Sequence, residues 1–257
     1  MPANVTPAYK AAEAAFRRAR DPEERLECLR EMYRTIPKHK GTEHIRADIK
    51  TRMKELTETL AGPKKGGAKS GPATVIRPDG AAQVAMLGPP NSGKSALHAR
   101  LTGSHSASEP YPFATQYPQP GMMPVEDIHL QLIDLPSISA EHPFPWITNA
   151  LQPADACILV VDLAHAGTID RVAGLHEILA ERRVHLVDAW PVYGEITSAI
   201  DDPDLFAVYL PTLLVVNKID LEPDYREDVV VFEELTEYRY PWLGVSATTG
   251  EGLEQLG

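Results

Sequence analysis

Apolar and polar positions follow two different patterns along the 257 residues of this chain. Over residues 1–60, apolar side chains recur three and four positions apart, as they do on one face of a helix. From residue 73 onward, short and nearly continuous apolar runs alternate with stretches of helical spacing. The change predicts an all-α helical domain over residues 1–60 and a mostly parallel α/β domain over residues 73–257.

The N-terminal region is expected to contain three helices. Thr6 and Asp21 each precede a proline, which is typical of an N-cap residue followed by proline at the first helical position. The third helix is expected to begin near Thr42. One face of this helix carries Ile45, Ile49, Met53, Leu56 and Leu60. Residues 61–72, AGPKKGGAKSGP, have no apolar periodicity and predict a flexible basic linker.

The second region shows the apolar runs of a parallel sheet. ACILVVDLA and PTLLVVNKID are typical of strands that are buried on both faces. TVIRPDGAAQVAMLG predicts a strand, a turn and a second strand, and MMPVEDIHLQLIDLP predicts a hairpin around Glu126 and Asp127. WLGVSA predicts a last short strand, whereas residues 182–209 receive no assignment.

Charge is distributed unevenly between the two regions. Residues 1–72 carry 16 Lys and Arg against 10 Asp and Glu, which is +6, and residues 73–257 carry 9 against 26, which is −17. Because an acidic surface repels nucleic-acid phosphates, any RNA contact is expected to come from the basic N-terminal region. The alternative is that these helices are simply rich in solvated Lys and Arg.

Neither a membrane protein nor a secreted protein is expected. The chain has no run of 18 apolar residues, and its start, MPANVTPAYKAAEAAF, lacks an apolar signal core. Cys28 and Cys157 lie far apart and are expected to be reduced packing residues. We therefore expect a cytoplasmic protein, and we expect it to act as a monomer.

The stretch GPPNSGKS, at Gly88–Ser95, has the spacing of a phosphate-binding loop between a predicted strand and a predicted helix. Glycines let the loop amides point at phosphate oxygens, and the helix N-terminus adds a favourable dipole. Lys94 is expected to reach the β- and γ-phosphates, and the Ser95 hydroxyl to ligate Mg²⁺. The loop residues expected to contact a nucleotide are Gly88, Asn91, Ser92, Gly93, Lys94, Ser95 and Ala96.

Three further segments lie at predicted strand ends. Asp134, in IDLPS, is expected to hold the Mg²⁺ shell. In NKID, the Asp220 carboxylate can accept hydrogen bonds from two donors of guanine, which adenine does not offer, so the segment predicts GTP rather than ATP. Ser246 is expected to close the base pocket, with the Ala247 amide meeting the guanine O6. The expected nucleotide contacts outside the loop are Asp134, Ser137, Asn217, Lys218, Asp220, Ser246 and Ala247.

Between Lys94 and Asp134 lies EPYPFATQYPQPGMMP, and here the sequence resembles the Obg-like P-loop GTPases, in particular their developmentally regulated GTP-binding (DRG) type. That family carries a Tyr-Pro-Phe-x-Thr segment as its first switch, matched here by residues 111–115, and IPKHKGTEHIRADIKTRMKEL resembles its helical segment. The resemblance implies a Ras-like G domain in which Thr115 closes over Mg²⁺ and the γ-phosphate. It also implies that the partner is the ribosome or its RNA.

Some positions depart from the family pattern. The family has glycine where this chain has Ser137, whose Cβ is expected to slow the switch through backbone strain. The alternative is that the Ser137 hydroxyl donates a hydrogen bond to the γ-phosphate and replaces the contact that the glycine amide makes in the family. Ile138 stands where many GTPases have a water-orienting glutamine, which predicts slow intrinsic hydrolysis. The family continues beyond GEGLEQLG into a final helix and a small domain, so we expect a truncated G domain.

Catalysis is expected to involve Lys94 and, as the resemblance implies, Thr115 and Asn91. In related GTPases an asparagine at the position of Asn91 helps to hold a K⁺ ion near the phosphates, which makes K⁺ a second candidate cofactor beside Mg²⁺. The alternative is that Asn91 only shapes the loop by bonding to its own backbone.

The leading hypothesis is a GTP-hydrolysing molecular switch. The first rival is a nucleotide-gated binding module with weak or no hydrolysis, in which GTP merely orders the switch for docking. The second rival is an RNA-binding helical protein with a vestigial G domain.

Overall fold

The computed structural model describes residues 6–19, 21–61, 74–104, 116–139, 144–190, 204 and 206–256. The chain divides into two compact units, Met1–Pro72 and Ala73–Gly257. The first unit is helical, and the second is built around one sheet. Residues 62–72 of the expected linker lie outside the described residues.

In the helical unit, the N-cap residues of the first two helices stand where the sequence pattern predicts them. Its helices are α1 (Pro7–Arg18), α2 (Pro22–Thr35) and α3 (Glu43–Ala61), and a short 3₁₀ helix spans Lys40–Thr42. The Thr6 hydroxyl accepts a hydrogen bond from the Tyr9 amide at 3.1 Å, and the Asp21 carboxylate accepts from the amides of Glu23 and Glu24. Each side chain satisfies amides that the first turn of a helix leaves without a partner.

The core of the helical unit draws on all three helices. Its large buried side chains are Tyr9, Phe16, Leu26, Leu29, Met32, Ile49 and Leu56. The apolar face expected on α3 is therefore buried at Ile49 and Leu56, but Leu60 is 37% exposed. In the part of the chain that the structure describes, no helix is both long enough and apolar enough to cross a membrane.

The second unit contains a seven-stranded, mostly parallel sheet. Its strands are β1 (Ala82–Leu87), β2 (Gln119–Val125), β3 (Ile128–Asp134), β4 (Ala156–Val161), β5 (Val184–Val187), β6 (Val208–Asn217) and β7 (Trp242–Val245). The hydrogen-bonded order is β2-β3-β1-β4-β6-β5, and β7 also pairs with β6. Only β2 and β3 run antiparallel among these pairs, and they form the hairpin predicted around Glu126, which has a positive φ of 48°.

Helices cover the sheet, so that the predicted α/β class is confirmed. They are α4 (Lys94–Thr102), α5 (Ile147–Leu151), α6 (Thr168–Glu181) and α7 (Tyr225–Thr236). Because successive side chains of a strand point to opposite faces, β4 supplies both cores. Cys157 and Leu159 join the apolar cluster that includes residues of α5, α6 and α7, whereas Ile158 and Val160 join the cluster of Leu97 on α4.

One expectation about strands was wrong, and one strand was not predicted. Residues 74–78 form no strand. Side chains bond to the backbone in and beside this segment: Gln83 Nε2 donates to Ile76 O at 3.2 Å, and the backbone N–H of Asp79 donates to Gln131 Oε1 at 3.2 Å. Within the unassigned residues 182–209, β5 was missed. It pairs with the first half of β6, whereas β7 pairs with the last four residues of β6.

Candidate functional site

The segments that carry the expected site residues meet at the carboxyl ends of the parallel strands. β1 leads into the loop of residues 88–93, β3 ends at Asp134, and β6 ends at Asn217. The strand register brings these ends together, since Met86 pairs with Asp134 and Asn217 pairs with Val245. Open α/β sheets bind ligands at this edge, so the observed topology places the expected site residues where such sheets bind ligands.

The loop between β1 and α4 has a backbone that requires glycine at two positions. Gly88 and Gly93 have φ values of +149° and +90°. A Cβ atom at Gly88 would lie 2.1 Å from Val160 O, and one at Gly93 would lie 2.1 Å from Asn217 Nδ2. Asn91 is also left-handed, with φ of +62°, a conformation that asparagine tolerates better than most residues.

The Lys94 side chain is buried beneath this loop. Its Nζ donates to Gly88 O at 3.1 Å, to Pro89 O at 3.3 Å and to Ser137 Oγ at 2.6 Å. Because an ammonium group has three N–H donors, these three oxygens can satisfy all of them. Burial lowers the pKa of Lys94 to about 8, although the nearby Asp134 carboxylate opposes the shift.

Ser95 and Asp134 form a second contact between the loop helix and β3. Ser95 Oγ donates to Asp134 Oδ2 at 2.5 Å, and Asp134 is buried at the last position of β3. Hydroxyl and carboxylate oxygens are ligands that Mg²⁺ prefers, and Mg²⁺ usually binds few protein groups and keeps several waters. These two residues therefore fit a Mg²⁺ ion. Among the described residues there is no group of three or more His, Cys, Asp or Glu that could hold a metal.

Ser137 contacts the loop lysine rather than being held in a strained conformation. The described non-glycine residues with positive φ are Asn91, Glu126, Arg183, Lys218 and Glu237. Ser137 is not one of them, so its conformation gives no support to the strain hypothesis. The residue is 7% exposed, and its hydroxyl accepts the hydrogen bond from Lys94. Sequence reasoning considered this hydroxyl only as a contact to phosphate.

Asn217 joins two parts of the site. Its Nδ2 donates to Ser92 O at 2.8 Å, and its Oδ1 accepts from the Ala247 amide at 3.0 Å. Ser246 is fully buried, and its hydroxyl accepts from the Thr249 amide at 3.0 Å. The Ala247 amide, which was expected to meet the guanine O6, thus has a protein acceptor in this structure.

Lys218 and Asp220 lie beside this bridge. Lys218 Nζ donates to Asp162 Oδ2 at 2.8 Å, with the two side chains 31% and 12% exposed. Asp220 is exposed. Sequence reasoning missed Asp162, which directly follows the buried strand β4. A carboxylate at the end of an apolar run, as at Asp134, was the signal that could have found it.

The remaining expected residues are placed as follows. Thr115 and the rest of the switch motif at residues 111–115 lie outside the described residues. Ala96 lies in the first turn of α4. Ile138 is buried in the core cluster that includes α5, α6 and α7. An apolar side chain held in that cluster has no group that could orient water.

Two histidines near the sheet, the buried His98 and the half-buried His176, already have hydrogen-bond partners. On α4, His98 Nε2 lies 3.3 Å from Leu132 O. On α6, His176 Nε2 lies 2.8 Å from the Tyr240 hydroxyl. Burial lowers the pKa of both imidazoles. Both side chains therefore act as packing groups with hydrogen-bond partners.

The chain matches one family model, which is described as 50S ribosome-binding GTPase, over residues 83–218. This match covers the loop, Asp134, Ser137, Asn217 and Lys218. It ends before Asp220 and the segment of Ser246.

Curated relatives of the chain are GTP-binding proteins. Developmentally-regulated G-protein 2 of Arabidopsis thaliana is 38% identical over 108 residues, which is 42% of this chain and 27% of the relative. The uncharacterized GTP-binding protein MJ1326 of Methanocaldococcus jannaschii is 25% identical over 287 residues, which is 91% of this chain and 71% of the relative. The chain thus spans only about a quarter of the Arabidopsis protein.

Among solved structures, the chain is similar to a GTP-binding protein from the archaeon Sulfolobus solfataricus in complex with GDP. The TM-score is 0.45 at 17% sequence identity, and the similarity covers 99% of this chain and 66% of the other.

Proposed function

The chain belongs to the 50S ribosome-binding GTPase family, and on this premise we propose that it is a molecular switch that binds GTP and hydrolyses it to GDP and phosphate. The observation that carries this proposal is the convergence of three polar groups at one edge of the sheet. They are the buried Lys94 ammonium, the Ser95–Asp134 pair and the Asn217 bridge. A glycine loop that opens a helix beside such groups is a site for phosphates.

The phosphate chain would bind to the loop. Backbone N–H groups of residues 91–95 would surround the phosphate oxygens, and the Lys94 ammonium would neutralise charge on the β- and γ-phosphates. Ser95 and Asp134 would hold Mg²⁺, which when bound neutralises the charge that develops on the phosphates. To bind these ligands, Lys94 and Ser95 must exchange hydrogen bonds that they now make to protein oxygens.

The guanine base would bind at the ends of β6 and β7. The exposed Asp220 carboxylate can accept two hydrogen bonds from one guanine, and adenine lacks this pair of donors. Asn217 holds this end of the site to the phosphate loop through Ser92 O. Specificity for GTP therefore depends on Asp220, and the geometry of the pocket depends on Asn217.

Hydrolysis would consist of attack by water on the γ-phosphate. Ile138 cannot orient that water, so the rate without an activator should be slow. Thr115 is proposed to close over Mg²⁺ and the γ-phosphate, by resemblance to the family. Asn91 is proposed to help hold K⁺; its left-handed backbone equally suits a residue that only shapes the loop.

A nucleotide-gated binding module is the second candidate function. It is favoured by one observation, that the hydrogen bond from Lys94 to Ser137 occupies a donor needed by the nucleotide. In such a module, GTP binding would order the switch for docking and turnover would be negligible. The ribosome is the proposed partner, and the +6 charge of residues 1–72 would supply contacts to its RNA.

Single-turnover release of phosphate from GTP tests the proposal. The chain should hydrolyse GTP only with Mg²⁺, faster in KCl than in NaCl and faster with ribosomes. Asn91→Ala should remove the difference between the two salts while nucleotide binding remains. Tight GTP binding without turnover under any of these conditions would favour the binding module, and no binding at all would contradict both functions.

A further inference from the structure

The three acceptors of Lys94 come from two different segments of the chain. Gly88 O and Pro89 O belong to the same loop that leads into α4, and they lie 3.1 Å and 3.3 Å from Nζ. Ser137 Oγ belongs to the segment after β3, and at 2.6 Å it is the shortest of the three contacts. A short hydrogen bond to a charged donor is a strong one, particularly when both side chains are buried.

The number of donors on Lys94 limits how many phosphates it can bind without losing a protein contact. The three N–H groups of an ammonium are matched here by three oxygens. A diphosphate offers Lys94 its terminal β-phosphate and can replace one long carbonyl contact. A triphosphate offers both β- and γ-phosphates, so Lys94 must give up two of its present acceptors.

We propose that Ser137 is a residue that determines the specificity of the site for the phosphate state, because its hydroxyl occupies the donor of Lys94 that a γ-phosphate would take. Gly88 O belongs to the same loop as Lys94 and stays beside Nζ, so the β-phosphate replaces Pro89 O, the longest contact, and the γ-phosphate replaces Ser137 Oγ. The proposal rests on the proposed function of the site as a guanine-nucleotide site. Ser137 therefore favours GDP over GTP. Its effect comes from the hydroxyl and not from the backbone, since Ser137 has no positive φ.

Three substitutions at this position separate the hydroxyl from the backbone. Ser137→Ala removes the hydroxyl and keeps the Cβ atom. Ser137→Gly removes both, and Ser137→Thr keeps the hydroxyl as the matched control. Calorimetry on the full chain with Mg²⁺ would give the dissociation constants of GDP and of guanosine 5′-(β,γ-imido)triphosphate for each protein. The ratio of the two constants is insensitive to a general loss of loop structure, which weakens both nucleotides together.

The ratio should change in favour of the triphosphate analogue by about tenfold in both Ser137→Ala and Ser137→Gly, because a hydrogen bond to a charged group is lost only from the diphosphate state. Ser137→Thr should keep the ratio of the unchanged chain. An unchanged ratio in Ser137→Ala, or a change in Ser137→Gly alone, would overturn the inference. If the unchanged chain bound neither nucleotide, the proposed function itself would be wrong.

Discussion

The phosphate end of the candidate site, residues 88–95 with Asp134 and Ser137, differs from the base end, residues 217–220 with 246–247, in how its polar groups are satisfied. At the phosphate end, Ser95 donates to Asp134, the last residue of β3, and Lys94 donates to Ser137, which follows β3. At the base end, the asparagine bonds to two backbone groups while the aspartate is exposed. A ligand must therefore exchange side-chain contacts at the phosphate end, whereas the base end presents an open carboxylate beside the Ala247 amide, which bonds to Asn217.

This difference separates two properties of the site. The hydrogen bonds of Lys94 and Ser95 to protein oxygens must be replaced by bonds to the ligand, and the number replaced depends on how many phosphates bind. On the proposed function, the phosphate end therefore distinguishes GTP from GDP. A fixed scaffold with an exposed carboxylate responds to the identity of the base. Asn217 is the link between the two, because it bonds to Ser92 O at one end and to the Ala247 amide at the other.

Breaking that link should have the largest effect. In Gly93→Ala, the new Cβ would lie 2.1 Å from Asn217 Nδ2, at a φ of +90°. We expect the free energy of unfolding to fall by about 3 kcal/mol, because both the collision and the left-handed backbone are costly. Urea denaturation of the variant and of the unchanged chain would measure this difference in the free energy of unfolding.

Gly167→Ala is the matched control for this substitution. Gly167 also precedes a helix, with φ of +80°, but a Cβ there would meet no atom of the described residues within 4 Å. The control should lose only about 1–2 kcal/mol, the cost of the left-handed conformation. Equal losses in the two variants would show that the contact with Asn217 is unimportant.

Changing the carboxylate at the base end should alter base recognition alone. Asp220→Asn replaces one acceptor oxygen by an N–H₂ donor that faces guanine donors. We expect GTP affinity to fall by about 2–4 kcal/mol, as for other lost charged contacts. Asp224→Asn, four residues along the chain at an exposed position, should keep full affinity. Calorimetry would contradict the assignment of the base end if Asp220→Asn bound GTP like the unchanged chain.

The ion pair of Lys218 and Asp162 sharpens the comparison, because it fixes a side chain of the base end. Asp162→Asn should weaken GDP binding by about 1 kcal/mol, the upper range for a partly exposed ion pair. Asp204→Asn removes the exposed pair with Arg183, whose nitrogen and oxygen are 3.7 Å apart, and should leave GDP affinity unchanged. Identical affinities in both variants would mean that Asp162 does not position Lys218.

Acidification should loosen the base end through β7. His176 bonds to Tyr240, two residues before β7, and burial lowers the pKa of His176 below its ordinary value. The neutral form is thus favoured on folding, and its contribution to stability is present above pH of about 6.5 and lost as the pH falls toward the folded pKa. Urea midpoints at pH 7.5 and 5.5 should differ less in His176→Gln than in the unchanged chain. A larger difference in the variant would contradict this sign.

The position of the phosphate loop could be predicted from sequence because its spacing and its flanking strand and helix are local features. The end of β6 could be predicted because a buried parallel strand produces a long apolar run, and the end of β3 could be predicted from the hairpin around Glu126 and Asp127. What could not be predicted is which side chains meet across those ends. The contacts of Lys94 with Ser137 and of Lys218 with Asp162 join residues 43 and 56 positions apart.

The errors in the strand prediction have the same origin. Val75 and Ile76 are apolar like strand residues. The backbone in and beside this segment, however, hydrogen-bonds to the side chains of Gln83 and Gln131 and not to the backbone of a neighbouring strand. β5 has only four residues, and its pairing depends on the long strand β6 beside it. Neither contact leaves a periodic pattern in the sequence.

The central claim is that one guanine nucleotide occupies both ends of this site. The most direct measurement is a calorimetric titration of the full chain with GDP and with ADP at the same Mg²⁺ concentration. The account predicts saturable binding of one GDP per chain and at least about 100-fold weaker binding of ADP, since adenine lacks the pair of donors for Asp220. Equal affinity for the two nucleotides, or no binding of GDP, would contradict it.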